Sequence, residues 1–141
     1  MDEHVDFVIV GSYALGRYGV VRATGDIDVL YGASPANVDR IVRALSEFGA
    51  PDHLIVTADL LTPDMVTQIG VEPLRIDLLN AISGVTFDEA HASAVAIAID
   101  GLQIPVIGLS QLRRNKQATG RPKDLADLDA LARLDRNTGA S

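Results

Sequence analysis

The sequence predicts an α/β (α+β) fold, a mixed β-sheet flanked by helices, as a single domain over residues 1–141. Three observations predict it. Short runs rich in β-branched residues, VDFVIV (5–10), DIDVLY (26–31) and LRIDLL (74–79), have the length and composition of buried strands. Between and after them lie segments with apolar residues at helical spacing, bounded by cap residues. At 141 residues and 48% hydrophobic, with no low-complexity tract or internal repeat, the chain is long enough to bury one core.

The elements follow in order. The strand at 5–10 leads into Gly11-Ser12, and YALGRYG has the look of one or two helical turns. The second strand runs from Asp26 to Tyr31. Ser34-Pro35 is an N-cap followed by the residue favoured in a first helical turn, and Val38, Ile41, Val42, Leu45 and Phe48 carry the periodicity to a stop at Gly49. In residues 52–73, Thr62-Pro63-Asp64 predicts a helix start and a short helix before Gly70. Leu74 to Leu79 is the third strand, with a helix near 87–93 after it. Ala94–Ile99 and Leu102–Ile107 read as a hairpin around Asp100-Gly101. The C-terminal helices occupy about 109–135: Leu109 to Thr119 stops at Gly120, Pro122 starts another to about Leu134, and the tail 136–141 frays.

Composition excludes several classes. No apolar run is long enough for a membrane helix, and MDEHVDFVIVG is acidic where a signal peptide would be basic. With no cysteine there is no disulfide framework, so the expectation is a cytoplasmic protein without a membrane partner. A net charge of −7 speaks against an extended nucleic-acid surface, which needs clustered Lys and Arg. A small anionic ligand needs only a local positive site.

The chemistry gathers around RATGDIDVLYG (22–32). Asp26 and Asp28 stand at i and i+2 of a strand, so both carboxylates share one face and repel. A capping Asp and an exposed strand-end Asp are the structural alternative. Asp77, a lone carboxylate in the apolar run LRIDLLN, favours a joint role, because a buried charge demands a partner. Three strand-borne carboxylates form an oxygen-rich site for Mg²⁺, and the cation relieves their repulsion. Gly11-Ser12 joins a strand to a helix, where free backbone N–H groups suit a phosphate; a plain turn is the alternative. Arg17, Arg22 and Thr24 lie just upstream of the acidic pair, either as ion-pair partners or as a phosphate clamp. A Walker A loop is excluded by Arg17-Tyr18 after Gly16, a dinucleotide fold by the lack of G-x-G-x-x-G, and a calcium loop by Leu30 and Tyr31. Gly-Ser, basic residues and D-x-D are the parts that two-metal phosphoryl transfer needs.

This combination, G-S-x(13)-D-x-D followed by a strand Asp, resembles the nucleotidyltransferase superfamily of the DNA polymerase beta type. VIVGSYALGRYGVVRATGDIDVLY, RIDLLN and LRRNKQATGRPKDLADLDAL resemble the small bacterial nucleotidyltransferases related to AbiEii-type abortive-infection toxins, over Val5 to about Leu134. The resemblance implies a nucleotidyltransferase-like fold and an ATP- or other NTP-binding enzyme that moves NMP from the NTP to a hydroxyl on RNA or protein, with a toxin–antitoxin pair as one setting and a stand-alone enzyme as the other. Carried over, Asp26, Asp28 and Asp77 are the catalytic and metal-binding residues, with a two-metal Mg²⁺ site as the cofactor. Gly11, Ser12, Arg17, Arg22, Thr24 and Lys116 are the nucleotide-binding set, with Lys116 on a solvated helix face as the alternative. Lys123 and Asp124 match an R-x-K-D-x-x-D-L signature; helix-start charge is the simpler account of Asp124 and Asp127. The chain opens almost directly on a strand, so the acceptor and an antitoxin partner stay open. The second function class is a nucleotide-binding or partner-binding module on the same fold with little catalysis.

Overall fold

Six strands and six helices are interspersed along the described residues, which in this computed structural model are 5–21, 26–47, 56–71 and 74–138. Strand β1 (Phe7–Val10) passes without a loop into helix α1 (Gly11–Arg17). Gly11 makes the junction with φ of +70°, a region that side-chain-bearing residues rarely enter. Strand β2 is Asp26–Tyr31, and helix α2 is Pro35–Glu47. Ser34 Oγ accepts from the Asn37 backbone N–H at 3.2 Å, as the Ser-Pro pair predicts. Gly49, the expected stop, lies outside the described residues.

The next segment corrects the sequence reading. A short helix, α3, sits at Thr57–Leu61, and residues 66–71 form strand β3 (Val66–Val71) rather than a helix. Thr62-Pro63-Asp64 ends α3 instead of starting a helix. Asp64 turns with φ of +61°, and Asn80 holds the turn by donating to Thr62 O (2.6 Å) and accepting from Asp64 N–H (2.8 Å). Val66, Thr67, Ile69 and Val71 are β-branched, and the ladder with strand β4 (Leu74–Leu79) settles their state.

The remainder agrees closely with expectation. Helix α4 (Phe87–Ser93) opens on a Thr86–Glu89 capping box. Strands β5 (Val95–Ile99) and β6 (Leu102–Val106) flank Asp100-Gly101, whose φ values of +51° and +80° form the tight hairpin turn. Helix α5 (Leu109–Thr119) stops at left-handed Gly120, and α6 (Pro122–Thr138) continues past residue 135, where the sequence places its end.

The sheet is mixed, in the order β3-β4-β2-β1-β6-β5, with β2/β4 and β1/β6 parallel and the other pairs antiparallel. Val8, Val10 and Leu30 share one face by register, and their core includes Val85, Ala90 and Leu112 from the α4–α5 side. Tyr31 and Leu78 point from the opposite face into a second core with Val38, Ile41 and Leu60 of α2 and α3. Helices therefore cover both faces. Among the described residues no helix is long and apolar enough to cross a membrane.

Candidate active site

Register places the acidic residues. β1 and β2 align Val10 with Asp28, and β2 and β4 align Asp28 with Asp77 and Asp26 with Arg75. Strand alternation then puts Asp26, Asp28, Arg75 and Asp77 on one face. Asp28 and Asp77 are side by side. Burial, then the Asp77 charge and a hydrogen bond with Asp77, then the Asp26 charge, push the Asp28 carboxyl up to about 6, against the pull of Lys123. Asp77 Oδ1 is buried and has no hydrogen-bond partner.

Asp26 is engaged differently. Arg75 donates to it twice, Nε to Oδ1 at 3.1 Å and Nη2 to Oδ2 at 3.0 Å, and this fork holds its carboxyl below the usual range. Among the described residues no three His, Cys, Asp or Glu side chains stand together as a metal cage. The expected trio is a carboxylate pair with an Asp–Arg pair beside it. The pair fits a divalent cation: an orphaned buried oxygen and a carboxyl raised by burial and by its neighbour's charge both call for positive charge.

Asp28 opens onto a cleft of about 560 Å³. Val10, Gly11 and Ser12 share its wall, Leu79, Ile82 and Ser83 border it, and Asn115, Lys116, Ala118, Thr119, Arg121 and Lys123 form the helical side. Gly11 is required for a reason the sequence did not disclose. A Cβ there would collide with Asp28 Oδ2 and lie 3.1 Å from its carboxyl carbon, so glycine lets the carboxylate lie against the backbone. Lys116 lines the cleft, yet it is only 4% exposed, and its ammonium donates to Asp127 Oδ2 (3.0 Å) and Asp124 Oδ1 (3.4 Å). Arg17 lies elsewhere, stacked 5.7 Å over the Tyr18 ring and lining a second hollow with Tyr13, Val21 and Ile97 that meets the first at Ser12. Arg22 and Thr24 lie outside the described residues.

The family model described as "Nucleotidyl transferase of unknown function (DUF2204)" matches residues 1–140. The chain belongs to this nucleotidyl transferase family. Among solved structures it is similar to a candidate nucleotidyltransferase from Thermotoga maritima, at TM-score 0.54 and 17% identity, covering 95% of this chain and 84% of that one. At that identity the likeness establishes the nucleotidyltransferase-like fold. No curated protein matches the chain.

In this nucleotidyl transferase the sequence reading passed over several residues of the site. Arg75 was detectable: R-x-D on a strand puts the guanidinium beside Asp77 on the same face. Asp124 and Asp127, expected as helix-start charges, are buried to 1% and 4% exposure around Lys116. Their i, i+3 spacing puts them on one helix face, which was the available signal. Ser83 and Asn115, joined by Asn115 Nδ2 donating to Ser83 O at 2.8 Å, gave no local signal.

Proposed function

We propose that this chain is a metal-dependent nucleotidyltransferase that moves NMP from an NTP to a hydroxyl acceptor. The observation that carries the reading is the Asp28–Asp77 pair, with its orphaned Asp77 oxygen, whose Asp28 lines a cleft that has Gly11-Ser12 on one side and basic side chains on the other. Asp28 and Asp77 would hold Mg²⁺, joined by Asp26 once it leaves Arg75. The ion's chemistry is neutralisation of phosphate charge and a lowered pKa for the attacking hydroxyl. The N–H groups at Gly11-Ser12 and the basic wall orient the triphosphate. The acceptor oxygen bonds to the α-phosphorus as the bond to the pyrophosphate oxygen breaks, and the hydroxyl proton passes to the Asp28–Asp77 pair. The AbiEii-type resemblance points to RNA or protein as the acceptor.

One observation favours the second class, a nucleotide-binding module with little catalysis: the Arg75 fork occupies Asp26. Incubation with each labelled NTP, Mg²⁺ and total cellular RNA or protein separates the two. Label transfer that Asp77→Asn abolishes supports the enzyme; NTP binding without transfer to any acceptor supports the module.

A further inference from the structure

We infer that Arg121 and Lys123, at the turn from α5 into α6, grip the phosphates of the bound nucleotide. The inference rests on the nucleotide reading above and deepens it.

The starting point is how the cations of the cleft are used. Lys116 is spent inside the protein, buried between Asp124 and Asp127. Its charge ties α5 to α6 and is cancelled there. Arg121 is paired in another way. Its Nε donates to Asp124 Oδ2 at 2.7 Å and its Nη2 to Asp124 Oδ1 at 3.3 Å, a side-on contact that uses one edge of the guanidinium. The Nη1 group makes no hydrogen bond among the described residues, and the side chain is 59% exposed on the cleft wall. Asp124 is itself fixed: it is 1% exposed and also accepts from Thr119 Oγ1 at 2.7 Å and from the Arg121 backbone N–H at 3.3 Å. A guanidinium held on one edge by a buried, immobile carboxylate presents its other edge with little entropy left to lose.

Lys123 completes the wall. Among the described residues it makes no hydrogen bond or ion pair, yet it lines the same cleft as Gly11, Ser12 and Asp28. Asp28 feels its charge, Arg121 in turn feels that of Asp28, and all three side chains line the one cleft. Neither is placed to benefit α6, because positive charge at the amino end of a helix opposes its dipole. A forked donor beside a mobile point charge, opposite carboxylates that favour a metal, is matched by a metal-bound polyphosphate.

Calorimetric titration with a non-hydrolysable NTP analogue and with the corresponding nucleoside, both at millimolar Mg²⁺, tests this on wild type, Arg121→Gln and Lys123→Gln. Each variant should bind the NTP analogue about tenfold or more weakly, the scale of a lost charge-assisted hydrogen bond, and the nucleoside as wild type does. Among the described residues Lys123 has no hydrogen-bond or ion-pair partner to lose, so Lys123→Gln should keep the wild-type melting temperature and report binding alone. Wild-type NTP affinity in both variants, or an equal loss for nucleoside and NTP, overturns the inference. A wild-type protein that binds no NTP overturns the functional reading and the inference with it.

Discussion

Asp28→Asn is the most informative single change, because its effect on the fold and its effect on the site have opposite signs. In the metal-free protein the Asp28 carboxyl is raised from 3.8 to about 6, first by burial and then by Asp77. A carboxyl raised in the folded state makes ionisation costly to the fold. That cost is absent below about pH 4, grows as the pH rises through about 6, and is complete above about 7. Two pKa units correspond to at most about 3 kcal/mol, and because the group faces an open cleft, screening leaves about 1–2 kcal/mol. Asparagine keeps the shape and removes the charge. The variant in EDTA should therefore melt roughly 3–6 °C above wild type at pH 7.5, with the gap closing towards pH 4. With Mg²⁺ and NTP the order should reverse, since the wild type gains a ligand that the variant holds poorly. Calorimetric melting of both proteins in EDTA at pH 7.5 and near pH 4, and with Mg²⁺ and NTP at pH 7.5, is the assay. A variant less stable than wild type in EDTA at pH 7.5 would refute the reasoning: the pair would then be architecture, and its repulsion would have been misjudged.

Three further outcomes follow from the same geometry. Gly11→Ala must hold a Cβ at φ of +70° against the Asp28 carboxyl, so urea denaturation should show a loss of roughly 2–4 kcal/mol; Gly16→Ala, helical with nothing within 4 Å, should instead gain about 0.5–1 kcal/mol. Asp124→Ala leaves Lys116 buried with one carboxylate and should cost roughly 3–5 kcal/mol in the same assay. Arg121 and Thr119 hold the Asp124 carboxyl far below its usual range despite burial, so its contribution is present above about pH 4 and is lost on further acidification. Wild-type protein should gain about 2.7 kcal/mol from NTP at a hundred times its Kd, but only with Mg²⁺, and a thermal-shift series with and without EDTA measures this.

The parts of the fold legible in the sequence are those decided locally. Asp26–Tyr31 and Leu74–Leu79 are strands in both readings because β-branched runs have few other uses, and α5 ends where Gly120 supplies the left-handed stop. β3 was misread because a real local signal pointed elsewhere: Thr-Pro-Asp resembles a helix start, and Gly70 interrupts the strand pattern. What decides the segment is the six-residue ladder with β4, together with Asn80 reaching back to residues 62 and 64, and neither is visible in a short window. The site divides along the same line. Alternation alone puts Asp26 and Asp28 on one face, whereas the Arg75 fork requires knowing that β4 lies parallel to β2 in that register. Burial of Lys116 depends on how α5 packs against α6, so the motif suggested a nucleotide contact but not the ion pairs with Asp124 and Asp127 that the packing adds.

The charge layout links these observations to ligand choice. On the sheet wall, Asp28 and Asp77 leave excess negative charge and one buried oxygen without a partner. On the helical wall, Lys116 and Arg121 are balanced by Asp124 and Asp127, and among the described residues Lys123 remains as positive charge without a paired acid. A bare cation would satisfy the first wall and repel the second; a bare phosphate would do the reverse, meeting two carboxylates a cleft's width away. A ligand stabilised by both walls has to present positive charge to the sheet and negative charge to the helices at once. A metal–polyphosphate complex does this as one unit, which gives a physical reason for metal and nucleotide to bind together. The same layout reconciles a net charge of −7 with an anionic substrate: the positive charge it needs is local, at the turn between two helices.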